Sequence, residues 1–530
     1  MAARQRIIPV RREYNRWVAN QTLEDYALRF TAKGARQFSS SRISQTAIGA
    51  ISFLALEAIG GTITLSYGTT NAFFAIIAAA VLMLGVGLPI SRYAIRHGVD
   101  IDLLTRGAGF GYIGSTVTSL IYASFTFMLF AIEASIMTGA LELAFGIPLW
   151  IGYIISALVV IPLVTYGVRL ISKFQLWTQP FWIVLNILPF VFIAFLDWDK
   201  VDLWRAFAGI GHSNAEVGSA APFDLVEFGA ASAVILALMP QIGEQVDFLR
   251  FLPPEGGRKL HHRFAVFLAG SGWVVLGVPK LLAGSFLAVL TLSTGVPARE
   301  AADPAHMYLA AFGYMIPNET AALLLMACFV VISQLKINVM NAYAGSLAWS
   351  NFFSRLTHSH PGRVVWLVFN VAIALLLMEL GIYRLLEETL GIFSIIAMSW
   401  LCTLSADLFI NKSLGLAPPG IEFKRAHLYD INPVGCGTLL LSAGIALVAH
   451  FGLFGPLMAS LATYVTLIAF LISPLIAWGT KGKYYLARKP RHSWKNRTSI
   501  TCSICEHPFE PEDMAWCPAY AAPICSLCCS

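Results

Sequence analysis

The sequence predicts an all-α polytopic membrane protein of about twelve spanning helices, ending in a small cysteine-rich tail. Three observations carry that prediction. Of 530 residues, 57% are hydrophobic and only 12% charged, about half the charged share of a water-soluble globule. Stretches such as 46–67, 71–90 and 456–478 are almost free of charge over the roughly 20 residues a helix needs to cross hydrocarbon. The lysines and arginines, finally, fall on alternate inter-span segments, as short inner loops of membrane proteins require.

Residues 1–44 are polar and arginine-rich and lack the short apolar core of a cleavable signal, so the first span is expected to direct insertion itself. Spans are placed near 46–68, 71–91, 111–145, 149–166, 174–196 and 224–246, then near 264–293, 320–350, 364–382, 386–410, 433–452 and 456–478. They form one membrane domain over 45–480, followed by a basic juxtamembrane connector at 481–498 and the tail at 499–530. With the amino terminus inside, Lys200, Arg205, Arg299 and Arg384 alone among 36 basic residues fall outside, and only Lys280 and Lys336 fall within spans. Both termini are thus expected in the cytoplasm, beneath an inner (plasma) membrane. The same bias accounts for the net charge of +6 without a nucleic-acid partner. No Walker loop, kinase ATP signature or paired catalytic carboxylates appear, so neither ATP-driven transport nor an enzyme is expected in these residues.

Interrupted helices are tolerated in a bilayer only where they line a cavity. Two are expected here. The first span carries Glu57 followed by Gly60 and Gly61; the sixth reads Met239-Pro240-Gln241-Ile242-Gly243-Glu244-Gln245. Breaks five spans apart predict two inverted five-helix repeats with a central site, plus two helices. The other reading of Gly60 and Gly61 is close helix packing. Glu57, Glu133, Glu244, Lys280 and Lys336 are ionisable residues inside spans, costly unless paired or facing water. For Lys280, after Pro279, a static interhelical salt bridge is the competing reading.

Several segments together resemble the nucleobase:cation symporter family, permeases for cytosine, purines, allantoin and hydantoins. They are Arg106 with Phe110-Gly111 and Gly114-Ser115, Asp247-Phe248-Leu249-Arg250-Phe251, Asn338 with Asn341 to Leu347 and Ser350-Asn351, and Ala406-Asp407-Leu408-Phe409. The resemblance, covering about 40–480, implies a leucine-transporter-like fold of ten core helices plus two, with substrate between helices one, three, six and eight. It implies alternating access coupled to sodium or protons. Where the family uses sodium, carbonyls near the break in helix one and two helix-eight hydroxyls bind it; here those hydroxyl positions fall at Lys336 and Ile337. An ammonium in the place of the ion is therefore expected, with Lys336 paired to Glu57, no response to sodium, and proton coupling if burial lets Lys336 lose its proton. The family's aromatic sandwich falls at Leu129 and Leu238 and its helix-three amide at Glu133, a departure from nucleobase recognition. Glu57, Gly60, Gly61, Leu129, Glu133, Leu238, Gln241, Gln334, Asn338 and Asn341 are the candidate contacts for a small polar nitrogenous solute.

Six of nine cysteines crowd the last 29 residues, with Cys502-x2-Cys505 and Cys525-x2-Cys528 separated by nineteen residues. That spacing fits four thiolates around zinc, Cys502, Cys505, Cys525 and Cys528; an iron–sulfur centre or redox thiols are the alternatives. The tail resembles the cysteine-rich linker behind transporter-like modules of bacterial sensor histidine kinases. It carries the further expectation that kinase domains or a signalling partner follow residue 530. The functional readings are then a secondary transporter, a transporter-derived sensor, or, third, a channel, which needs a continuous polar stripe.

Overall fold

The computed structural model describes residues 27–212, 222–253, 260–358, 360–381, 383–490, 494 and 496–529. Residues 1–26, the inner-loop basic residues Arg258 and Lys259, and positions 491–493 and 495 of the connector lie outside them.

Helix one begins as α1 (Ser40–Gly49), capped by the Ser39 hydroxyl accepting from the Arg42 amide. A single 3-10 turn, Ala50–Ser52, and extended Phe53 interrupt it, and it resumes as the start of α2 (Ala55–His97). At 43 residues and 1.5 Å per residue, α2 is about twice as long as hydrocarbon is thick. It holds two passes. The backbone leaves helical geometry at Gly68 (φ 78°), where a side chain would be strained, and the chain turns back. Asn71 meets Glu227 at one end of the bundle and Ser91 meets Ser271 at the other.

The remaining passes are α3 (Ser115–Phe145), α4 (Leu149–Thr165) and α5 (Val168–Leu196). Helix six is split into α6 (Leu225–Leu236) and α7 (Gln241–Leu249). Helix seven is α8 (Trp273–Ser293). A short helix α9 (Pro304–Gly313), capped by Asp303, crosses to α10 (Glu319–Thr357), followed by α11 (Arg363–Glu379), α12 (Tyr383–Ala406), α13 (Pro433–His450) and α14 (Ala462–Gly479). Nine helices among the described residues are long and apolar enough to span by themselves. The second pass of α2, the shorter α4 and the 17-residue α11 complete the expected twelve.

Two core contacts set the frame. The first pass of α2 crosses α8 almost backbone to backbone: a Cβ at Gly60 would stand 2.0 Å from the Leu281 carbonyl oxygen, and one at Gly284 2.1 Å from that of Glu57. The second is the packing of α3 on α10, with Phe127 stacked on Trp349 at 6.3 Å. The tail is two antiparallel hairpins, β1 (Ile500–Thr501) with β2 (Pro508–Phe509) and β3 (Met514–Cys517) with β4 (Ala522–Cys525).

Candidate functional site

The break in helix one lies at 50–54, earlier than Gly60 and Gly61. Those glycines sit inside continuous helix, where their missing side chains admit the backbone of α8 and, at Gly61, Met307 and Ala288. The position expected from the glycine pair is thereby corrected, and the packing reading is the one observed. The real break contains neither glycine nor proline and is held open by other helices. The Phe53 carbonyl accepts from Lys280 Nζ at 2.9 Å. The Leu54 amide points at Gln334 Oε1 and the Ala55 amide at Glu133 Oε1, each at 3.4 Å. Ser52 Oγ is 3.1 Å from the Ser333 carbonyl. Backbone groups that the interruption frees in a low-dielectric interior are thus met by α3, α8 and α10.

Glu57 pairs with Lys280, Oε1 to Nζ 3.1 Å, and the Tyr308 hydroxyl reaches both Glu57 Oε1 (3.0 Å) and Asn186 Oδ1 (3.2 Å). Lys280 also lies 5.4 Å from the Trp182 ring centroid. The expected pair between Glu57 and Lys336 does not form. Lys336 turns to α5 instead, where the Gln175 carbonyl (3.1 Å), Thr178 Oγ1 (3.1 Å) and Gln179 Oε1 (3.0 Å) meet its three donors. The physical reason is the α2–α8 crossing, which delivers Lys280 to Glu57 first. Tyr308 was not legible as a site residue, since α9 reads as an outer loop, and Asn186, a single amide in the fifth span, was not singled out.

On the other side of the break, Gln241, Glu244 and Gln245 start α7, and Asn338 and Asn341 lie in mid-α10, all buried. α7 touches α10 through Phe248 on Tyr343 and α3 where Gly243 meets Tyr122. Gln241 donates to Glu244 at 2.7 Å and Asn341 to Asn338 at 3.2 Å. Even so, Gln241 Oε1, Glu244 Oε1, both polar atoms of Gln245, Asn338 Nδ2, Asn341 Oδ1 and Glu57 Oε2 are buried with no hydrogen-bond partner among the described residues. Leu129 and Leu238 are buried apolar packing; Leu238 lines a narrow crevice with Leu56, Trp273 and Leu281.

Several of the segments that carry the family resemblance knit together one end of the bundle. Arg106 donates to Asn351 Oδ1 (2.9 Å) and the Phe423 carbonyl (3.1 Å). Arg250 lies 3.5 Å from Asp100 and donates to the Tyr343 hydroxyl (3.0 Å), and Tyr122 donates to Asp247 (2.8 Å). A cleft of about 820 Å³ opens between α1, α5 and α8, with Trp182, Asn186 and Lys280 in its wall.

In the tail, the sulfurs of Cys502, Cys505, Cys525 and Cys528 are buried and all lie within 4.8 Å of one another, with Cys505 and Cys525 3.8 Å apart. The edge of a tetrahedron of sulfurs around zinc is about 3.8 Å at the usual bond length. The Cys525 amide donates to Cys502 Sγ at 3.3 Å, the outer-shell support that thiolate ligands receive. The cluster fits a metal. Cys517 and Cys529 stand outside it.

No protein-family model matches the chain, and no curated protein does. Among solved structures it is similar to Mhp1, a nucleobase-cation-symport-1 family transporter, in a closed conformation with bromovinylhydantoin bound. There the TM-score is 0.60 at 15% identity, over 86% of this chain and 98% of that one. It is similar to inward-facing Mhp1 (TM-score 0.56, 18% identity, 84% and 95% covered). A Na+-coupled sialic acid symporter in a substrate-bound outward-open state matches at TM-score 0.55 and 14% identity, with 87% and 94% covered. These likenesses establish the fold, a multi-pass leucine-transporter-like bundle carrying a cysteine cluster near its carboxyl end.

Proposed function

We propose that this chain is a secondary transporter that carries a small polar nitrogenous solute across an inner (plasma) membrane by alternating access, with both termini cytoplasmic. The observation that supports it is the set of buried polar atoms on Gln241, Glu244, Gln245, Asn338 and Asn341 that find no hydrogen-bond partner among the described residues, with two interrupted helices in the same bundle. Each such atom is costly in a bilayer interior unless something hydrogen-bonds to it, and a solute bearing both donors and acceptors answers that need. Mixed donors and acceptors in the set suit a ureide, hydantoin or related amide better than a hydrocarbon or a simple ion. Neighbours of the same fold have been captured closed, inward facing and outward open, which is the cycle envisaged here.

Coupling follows from the charges. Lys280 places an ammonium on the Phe53 carbonyl and beside Glu57, so a cation is already built into the break of helix one, and a second, Lys336 of α10, bonds to α5. Uptake is therefore expected to run on a proton gradient and to be indifferent to sodium. The test is accumulation of labelled hydantoins, nucleobases and ureides by proteoliposomes, with sodium replaced by choline and with the proton gradient collapsed. Accumulation that vanishes without sodium would overturn this coupling; saturable binding without flux would replace transport by sensing.

The sensing reading has its own support, because the tail is docked on the segment leading into α1. In that tail Cys502, Cys505, Cys525 and Cys528 would hold a single zinc ion, which would supply a structural crosslink between the two hairpins. Sulfurs packed this tightly suit one shared ion, since thiolates on separate corners of a cluster stand farther apart.

A further inference from the structure

Asp513 belongs to the tail, twelve residues before Cys525, and its Oδ1 accepts from Ser526 Oγ inside the second cysteine knuckle at 3.4 Å. It is fully buried and also meets the segment that leads into α1. Arg29 Nε donates to Asp513 Oδ2 at 3.1 Å and the Phe30 amide to Oδ1 at 3.2 Å. Burial holds this carboxyl above its ordinary range, against the opposing pull of the Arg29 guanidinium. Around that contact, the Lys33 amide donates to Glu510 (2.9 Å) and Lys33 Nζ to Glu512 (2.6 Å). The Arg29 guanidinium covers the Phe509 ring at 4.8 Å, and Leu28 is buried in the tail's own apolar core with Cys502, Cys525 and Ile524. The arm at 27–36 thus completes the tail's small core.

The same arm runs into α1. Thr31 donates to the Gly98 carbonyl at 2.7 Å, Arg36 bonds the Leu252 carbonyl at 2.8 Å, and α1 lies on α5 through Arg42 to Ser172 at 2.8 Å. Beyond α1 the chain reaches the break at 50–54. An element tied to its continuation only by a broken turn can swing about that turn, and whatever grips its leading end opposes the swing. A short chain of contacts therefore joins the cysteine cluster to the hinge: β3, Asp513, the arm, α1.

We propose that the metal-loaded tail is a detachable clasp on the arm, holding α1 against the bundle, so that displacement of α1 and release of the tail are one linked equilibrium. Linkage is reciprocal: what moves α1 loosens the tail, and what unfolds the tail loosens α1. The proposal rests on the alternating-access reading only for the cause of the movement. Its physical core, the grip itself, can be tested with no solute present.

The experiment is hydrogen exchange with mass spectrometry on the full chain in nanodiscs. It compares protein with one bound metal per chain against protein stripped by a chelator and then reloaded with Zn2+. Stripping is expected to speed exchange in the tail and, together with it, in peptides covering 27–49 by about tenfold or more, while α10 and α13 stay protected; reloading restores both. Because Asp513→Ala could damage the tail itself, Arg29→Ala is the second variant. It should keep its metal, read by elemental analysis, and still show fast exchange at 27–49. Unchanged exchange at 27–49 in stripped protein whose tail has opened, or in metal-loaded Arg29→Ala, would overturn the clasp. Neither outcome bears on uptake by proteoliposomes, so failure of the clasp and failure of the transport reading remain distinct.

Discussion

Glu57 and Lys280 are the pair on which the centre turns. Both are buried, and a lone charge in that setting costs several kcal/mol more than a matched couple. Glu57→Gln or Lys280→Met alone should each destabilise the folded protein by about 3–5 kcal/mol, read as lowered thermal stability in detergent. The double variant should cost less than the sum of the two single losses, by a coupling energy of about 1–3 kcal/mol in the cycle. Additive losses would mean that the two side chains do not act as a pair. Lys336 behaves differently, because its partners on α5 are neutral oxygens. Lys336→Met should leave stability nearly unchanged next to Lys280→Met, and the same melting experiment compares them. Both lysines stood out in the sequence as charges in apolar spans, but which one would meet Glu57 did not. That choice depends on how close α8 comes to helix one, a distance no single residue encodes.

At the scale of elements, the two interruptions were unequally readable. Pro240 cannot continue a hydrogen-bond ladder, so the break at 237–240 is announced locally. The break at Ser52-Phe53-Leu54 has no such residue and exists because Lys280, Gln334 and Glu133 offer better partners than the helix itself. Glycine was the misleading signal, since Gly60 and Gly284 serve a crossing. Gly60→Ala and Gly284→Ala place a methyl about 2 Å from backbone oxygens of the opposite helix, which must move apart. Each should cost about 1–3 kcal/mol and reduce the yield of folded protein on size-exclusion chromatography. Gly444→Ala in α13, with nothing within 4 Å of the new Cβ, should be neutral or stabilising by up to about 1 kcal/mol. The count of spans survived because basic residues punctuate the loops whatever the helices do between them.

For the whole molecule, the segment at 27–36 meets the cysteine tail, and that was not legible from either segment alone. The cysteine spacing announced the four-thiol cluster, whereas the composition of the arm gave no hint of a partner more than 470 residues away. Cys502→Ser should abolish metal retention and unfold the tail while the membrane helices persist, seen as loss of bound zinc with nearly constant helical circular dichroism. A large drop in helicity would mean instead that the bundle depends on its tail.

The α2–α8 crossing carries one last consequence. Backbones seated this near to each other at Gly60 and Gly284 have no slack to slide, so the first pass of α2 and α8 must travel as a single strut bearing both Glu57 and Lys280. Any pivoting of α1 then happens relative to that strut, and the tether stretched first is the one from Lys280 to the Phe53 oxygen. Gln334 and Glu133 hold the two amides that follow, so the break is pinned from three helices.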